Sequence, residues 1–141
     1  MPTRSSSAVW EGNLREGKGT MKLGSGAFEG SYSFPSRFES GQGTNPEELI
    51  GAAHAGCFSM AFANELSSAG HTPDSIMTEA KVTLDQVEGG FAITGIALSC
   101  EAKVPGIDEA TFQDIAEAAK NGCPVSKALT GTEITLDAKL V

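Results

Sequence analysis

Residues 49–63 carry no charge apart from the titratable His54, and Glu47, Glu48 and Glu65 bound them. This run constrains the fold more than any other segment. It is too short to cross a bilayer, which takes about 20 residues. Asn45 suits an N-cap, Pro46 the first helical position, and Glu47 and Glu48 the positive end of a helix dipole. The segment therefore predicts a helix running to about Ser68 and ending near Gly70. It is apolar nearly all round, so burial is expected on most of its faces.

The rest of the chain is arranged around that helix. The first third is rich in glycine and has short apolar patches at Ala8-Val9-Trp10, Thr20-Met21-Lys22-Leu23 and residues 28–34. Glu11-Gly12-Asn13 and Gly24-Ser25-Gly26 separate them as turns, which predicts a meander of two or three strands. Residues 35–44 are expected to form a loop carrying Arg37. After the helix, Ala80, Val82 and Leu84 alternate with Lys81, Thr83 and Asp85, and Glu88-Gly89-Gly90 signals a hairpin. Ile96, Leu98, Cys100, Ala102 and Val104 share one face. Phe91 and Ile93 fall out of phase with them, so a bulge is expected near Gly95. Asp108 can cap a second helix with an apolar stripe at Phe112, Ile115, Ala116 and Ala119. Gly122 ends it, and Pro124 opens a short helical turn through Leu129. A last strand turns Ile134, Leu136, Ala138 and Leu140 inward. This order describes one α+β domain over residues 1–141, a length that allows a real core.

A net charge of −8 offers no basic patch for nucleic acid or for an anionic membrane. No apolar stretch follows the first charged residues, so no signal peptide is expected. Three cysteines then read as cytosolic thiols, not as a disulfide framework, and the expected location is cytoplasmic.

Two of those thiols stand in settings that allow chemistry. Cys57 lies inside the apolar helix. Cys123, between Gly122 and Pro124, sits at a helix start, where the dipole favours a thiolate. They are a candidate pair of attacking and resolving thiols, although each alone also reads as a core or loop residue. Cys100 falls on the inward register of a strand and reads as core.

In mid-helix, Cys57 gains little from a dipole, and burial would raise its pKa. A working thiolate there needs a cation, and Arg37 and His54 are the candidates. His54 shares a helix face with Cys57, but a packed, hydrogen-bonded role suits it better. Arg37 has a planar fork that can hold a carboxylate and still reach a thiolate. Glu47 and Glu48 are the natural carboxylates. Ten residues of straight helix separate Glu47 from Cys57 by about 15 Å. One arginine does not bridge that within a chain. Two copies of the helix packed antiparallel would bring the cluster together, which predicts a homodimer with sites at its interface.

Residues 45–60, Val104-Pro105-Gly106-Ile107 and Asn121-Gly122-Cys123-Pro124-Val125-Ser126 resemble the OsmC/Ohr family. Trp10-Glu11-Gly12, Gly17-Lys18-Gly19-Thr20 and Ser36-Arg37-Phe38-Glu39 resemble its osmotically inducible branch, and the likeness covers nearly the whole chain. The resemblance implies a thiol peroxidase that reduces organic hydroperoxides in oxidative or osmotic stress. It implies an intertwined homodimer, with six-stranded sheets packed around two central helices. It places the reactive cysteine on Cys57, the resolving cysteine on Cys123, the glutamate on Glu47 and the activating arginine on Arg37. In the hydroperoxide-resistance branch that arginine comes earlier, where this chain offers Arg15. The implied reductant is a dithiol, which in that branch is a lipoyl group, and no metal or bound cofactor is required. Phe34, Phe38, Phe58, Met60 and Phe62 are candidates for apolar substrate surface or plain core.

Two readings from other classes compete. One is a hydrolase or acyl-transferase using Cys57 with His54 as base. The other is a zinc-binding module built from His54, Cys57, Cys123 and His71, although their spacing matches no recognised zinc pattern.

Overall fold

The computed structural model describes residues 1–141, and its elements follow the expected order of strands, long helix, hairpin, helix and strand. Contacts gather the chain into two units, Met1–Leu49 and Ile50–Val141.

The N-terminal unit is an antiparallel meander of β1 (Ser6–Glu11), β2 (Lys18–Leu23) and β3 (Glu29–Tyr32). Gly12, at φ +92°, makes the first turn, and its carbonyl accepts from the Trp10 indole at 3.0 Å. Trp10 and Tyr32 flank Gly19 on the middle strand, with ring centroids 5.3 Å apart. A Cβ on Gly19 would lie 2.5 Å from the Tyr32 ring and 2.6 Å from Trp10, so only glycine lets the rings close there.

The expected loop after β3 is in part helical. Residues Phe34–Phe38 form a short helix, α1, with Arg37 in its last turn. Its start is a reciprocal cap: the Ser36 N–H donates to Ser33 Oγ and the Ser33 N–H to Ser36 Oγ. The Ser36 hydroxyl also donates to the Thr44 carbonyl at 2.7 Å, and the Asn45 amide donates to the Ser36 carbonyl at 3.0 Å. These bonds tie α1 to the start of the next helix, α2 (Pro46–Ser68). The α2 cap is the expected one, with Asn45 Oδ1 accepting from the Glu48 N–H at 2.8 Å. At its far end Gly70 takes φ +89°, and the His71 N–H returns to the Leu66 carbonyl.

The C-terminal unit holds a second sheet, of β4 (Ser75–Val87), β5 (Gly90–Lys103) and β6 (Glu133–Leu140) in that order. β4 and β5 pair as the expected hairpin, with Gly89 at φ +88°. The bulge is present: Thr83 pairs with Gly95 and Leu84 with Ile93, so Thr94 is the extra residue. β6 runs parallel to β5 and so needs a crossover. α3 (Glu109–Gly122) and α4 (Pro124–Ala128) supply it. Asp108 caps α3 through the Thr111 N–H at 3.0 Å, as expected.

The core lies in this unit. Phe58, Phe62 and Leu66 of α2 pack with Ile96, Leu98, Cys100 and Ala102 of β5 and with Phe112, Ala116 and Ala119 of α3. The Phe62 ring sits 5.3 Å from Phe112 and 5.6 Å from Phe58. Each such ring contributes about 2–3 kcal/mol by leaving water.

The expectation that α2 would be buried on most faces needs correction. Only the stripe Glu47, Gly51, His54, Phe58, Phe62, Leu66 is buried, while Ala52, Ala53, Gly56 and Met60 are exposed. One layer of sheet and helix covers only one side of a helix, and within a single chain nothing shields the other.

Candidate active site

The C-terminal unit brings the two suspected thiols together. Cys57 projects from the middle of α2. Cys123 ends α3 and caps α4 with an extended ψ of 123°, because Pro124 disfavours helical backbone in the residue before it. The contact of Phe62 with Phe112, centroids 5.3 Å apart, packs α2 against α3. Their sulfurs lie 2.8 Å apart, both cysteines are free, and Cys123 is fully buried while Cys57 is half-buried. A disulfide bond is about 2.05 Å long, so closing one takes a shift of less than 1 Å.

The electrostatics of the pair are unequal. Burial pushes the Cys57 thiol up, the hydrogen bond shared with Cys123 adds to that, and a Val125 backbone N–H opposes it. Burial also works against ionisation of Cys123. There, however, the bond shared with Cys57, the N–H and hydroxyl of Ser126 and the Val125 N–H outweigh it, and the pKa falls. Within this unit the charge therefore favours Cys123. For Cys57 to be the nucleophile, a cation must come to it.

His54 is not that cation. It is fully buried, and burial lowers its pKa, so it stays neutral. Its Nε2 lies 2.7 Å from Ser126 Oγ, and its buried Nδ1 has no partner. This corrects its candidacy as a charge. It also removes the hydrolase geometry, because the imidazole is committed to Ser126 and not to Cys57. No three or more His, Cys, Asp or Glu side chains gather as a set of metal ligands, so the zinc reading finds no frame. Cys100 is buried on β5, with its thiol pushed up by burial, and it reads as core, as expected.

The N-terminal unit builds the ion pair. Arg37 Nε donates to Glu47 Oε1 at 2.9 Å, and the guanidinium also stands 5.4 Å from the centre of the Phe38 ring. Of the two candidate carboxylates, Glu48 is taken by the Thr44 hydroxyl at 2.8 Å, so Glu47 is the partner of Arg37. Arg37 keeps 35% of its side-chain surface exposed and Glu47 only 8%, so the pair presents its cationic end outward. Glu47 Oε2 is buried without a partner, an open acceptor for a further donor. The other candidate, Arg15, instead lies over the Phe34 ring at 4.6 Å.

Arg37 also borders a cavity of about 280 Å³ lined by Trp10, Leu14, Tyr32, Phe34 and Phe38. Phe34 and Phe38 thus offer apolar surface beside the guanidinium, while Phe58 and Phe62 are core and Met60 is exposed. Sequence reasoning gave no role to Trp10, Leu14 or Tyr32, which lie on separate strands and turns. It also gave none to Ser126. The available signal was spacing, since Ser126 stands three residues after a cysteine that caps a helix.

These features make the chain an α+β protein with a paired-thiol site. It belongs to the OsmC-like family, whose model matches residues 39–139. It is 58% identical to the protein named Peroxiredoxin OsmC of Escherichia coli (strain K12) over 134 residues, 94% of this chain and 93% of that relative. Its fold is similar to that of an organic hydroperoxide resistance protein from Elizabethkingia anophelis, with a TM-score of 0.76 at 27% identity over 100% of this chain and 98% of that one. The organic hydroperoxide resistance protein OhrB of Bacillus subtilis gives a TM-score of 0.73 at 26% identity, covering 96% and 98%. The expected OsmC-like α+β fold is borne out.

Proposed function

We propose that this chain is a thiol peroxidase that reduces organic hydroperoxides to alcohols through Cys57 and Cys123. The observation that carries the reading is the 2.8 Å approach of two free thiols from residues 66 apart in sequence. The names of its relatives agree with it.

The first step needs the Cys57 thiolate. It attacks the outer oxygen of ROOH, the O–O bond breaks, and the alkoxide takes a proton and leaves as alcohol. Cys57 becomes a sulfenic acid. Arg37, held by Glu47, supplies the cation. It favours the thiolate and strengthens its hold as charge builds on the departing oxygen, so it acts mainly in the transition state. Cys123 then attacks the Cys57 sulfur, a disulfide forms, water leaves, and a dithiol restores both thiols. The apolar cavity beside Arg37 suits a bulky R group better than hydrogen peroxide.

The cation reaches Cys57 in a homodimer. The exposed face of α2 is made of Ala52, Ala53, Gly56 and Met60, small or flexible side chains that allow close helix packing. A Cβ on Gly56 would meet nothing within 4 Å, so a neighbour has room there. If two copies cross antiparallel at Ala52, position 47 of one helix lies level with position 57 of the other, since both are five residues from the crossing. Glu47 and its Arg37 from one copy then face Cys57 of the second. Three strands from each copy would complete the six-stranded sheets, and each chain would act as one OsmC-like domain over residues 1–141. The reductant is a dithiol of the lipoyl type, and the setting is cytoplasmic. No helix is long and apolar enough to cross a membrane.

The test is a count of free thiols in reduced protein before and after one equivalent of cumene hydroperoxide. Loss of two thiols per chain, recovered with a dithiol and absent in Cys57→Ser, is expected. Survival of all three overturns the reading.

A further inference from the structure

His54 and Ser126 take no part in the cycle above, yet both are buried and directly bonded. Nε2 and Oγ lie 2.7 Å apart, joining α2 to α4 across 72 residues. Two buried polar groups so joined carry a desolvation cost that apolar residues would avoid, so their arrangement needs a reason.

The tautomer follows from valence. His54 Nδ1 is buried without a partner, and a buried orphaned N–H is costlier and rarer than a bare acceptor. The proton therefore sits on Nε2 and is donated to Ser126 Oγ. That leaves the Ser126 hydroxyl proton to be donated onward, and the acceptor it faces is Cys123 Sγ three residues earlier, whose ionised form both the hydroxyl and the N–H of Ser126 favour. Cys123 Sγ in turn lies 2.8 Å from Cys57 Sγ. The bonds run in one direction, from imidazole to hydroxyl to resolving sulfur.

We propose that His54 and Ser126 are positioning residues for the second half-reaction, a directed hydrogen-bond chain that holds Cys123 as the thiolate that closes the disulfide. The inference rests on the peroxidase reading. Once Cys57 is a sulfenic acid, Cys123 gives up its proton and its thiolate attacks the Cys57 sulfur. The S–S bond forms, the S–O bond breaks, and the oxygen leaves with its electron pair. It takes up the proton that Cys123 released and departs as water. Cys57 is reduced from sulfenic acid to the disulfide level while Cys123 is oxidised to it. Ser126 borders a pocket of about 230 Å³ together with Lys120, Asn121, Lys127, Thr130 and Thr132. The titratable groups that face this chain are His54 and Cys57 on α2, and beside Ser126 the pocket adds Lys120 on α3 and Lys127 on α4. The division of labour is clear: Arg37 serves the first thiolate, and His54 with Ser126 serves the second.

The test separates the two half-reactions in the full-length protein. Reduced protein is mixed with one equivalent of cumene hydroperoxide. Peroxide loss reports the first step, and the fall of dimedone-trappable sulfenic acid reports the second, both from pH 5 to 9. Ser126→Ala should slow disulfide closure about tenfold, the scale of one hydrogen bond to a charged group, and move its pH midpoint upward. It should lengthen the life of the sulfenic acid without slowing its formation. His54→Leu should give the same phenotype, and His54→Gln, which keeps an N–H donor, should recover most of the rate. The double variant Ser126→Ala/His54→Leu should be no slower than Ser126→Ala alone, because a chain broken once cannot be broken again. If wild-type protein consumes no peroxide, the peroxidase reading falls and takes this inference with it. If wild type cycles while Ser126→Ala and His54→Leu close the disulfide at its rate and midpoint, this inference alone falls. Additive losses with an unmoved midpoint also overturn it, since they report packing only.

Discussion

The two units of this chain hold themselves together by different means. The C-terminal unit has a conventional core: its buried apolar residues come from α2, β5, α3 and β6, with Val104 just past β5. The N-terminal unit buries none of its apolar side chains, and its buried residues are Gly19, Ser36, Thr44 and Glu47. About 50 residues with no core do not stand alone. The proposed chemistry is divided along the same line. The core-bearing unit carries the thiols, and the other carries the guanidinium and its carboxylate. A thiol pair needs a rigid frame to meet within bonding distance. A cation that acts on charge needs only to be delivered and oriented. The unit without a core is therefore the one expected to gain burial from a second copy, and in the proposed dimer its burial and its delivery of charge would be one event.

The sharpest way to break this comparison is to remove one charge or one sulfur from each side. Cys57→Ser should abolish peroxide consumption, a loss above about a thousandfold, because the neighbouring thiol, Cys123, is fully buried and so is closed to a bulky peroxide. Arg37→Ala should slow sulfenic acid formation by about a hundredfold to a thousandfold, the scale of one transition-state donor, with disulfide closure unchanged. Stopped-flow single turnovers check both. Equal slowing of both half-reactions by Arg37→Ala would show that the charge serves more than the first thiol.

A second pair of changes tests which unit needs help from outside. Phe112→Ala should cost about 3–5 kcal/mol in urea unfolding, since its ring is fully buried against Phe62. Ala53→Glu on the exposed face of α2 leaves that core untouched. In sedimentation it should yield monomers, with lost amide protection confined to residues 1–49 and lost peroxidase activity. A fully active monomer would sink the view that the N-terminal unit depends on a second copy.

Much of this was legible in the sequence because local rules agreed with one another. Asn45 and Asp108 cap the helices they were expected to cap, the bulge falls at Thr94, and Cys100 faces inward. Three features were not legible, each for its own reason. α1 hides between Phe34 and Phe38 because its helical signal is one Ser33–Ser36 exchange, too short to show periodicity. The exposed face of α2 was misjudged because composition reports what a helix tolerates, not what one protomer places beside it. Ser126 was passed over because its partner lies 72 residues away, and no spacing rule links a helix histidine to a serine on another helix.

The smallest expected effect falls on the C-terminal unit alone and comes from His54. Burial lowers its pKa in the folded chain, so below the ordinary histidine value of about 6.5 the unfolded chain binds a proton that the folded chain resists. Stability from this site is thus fully present above that value and is lost as the pH falls through it. The slope cannot exceed about 1.4 kcal/mol per pH unit for one proton. Urea midpoints for reduced wild-type protein should fall between pH 6.5 and 5, and His54→Gln, which keeps the donor and cannot titrate, should flatten that part of the curve. Amide exchange should assign the loss to α2, α3 and α4 and leave β1–β3 unmoved. If the slope survives in His54→Gln, the acid sensitivity does not come from this imidazole and the view of His54 as a buried neutral group falls.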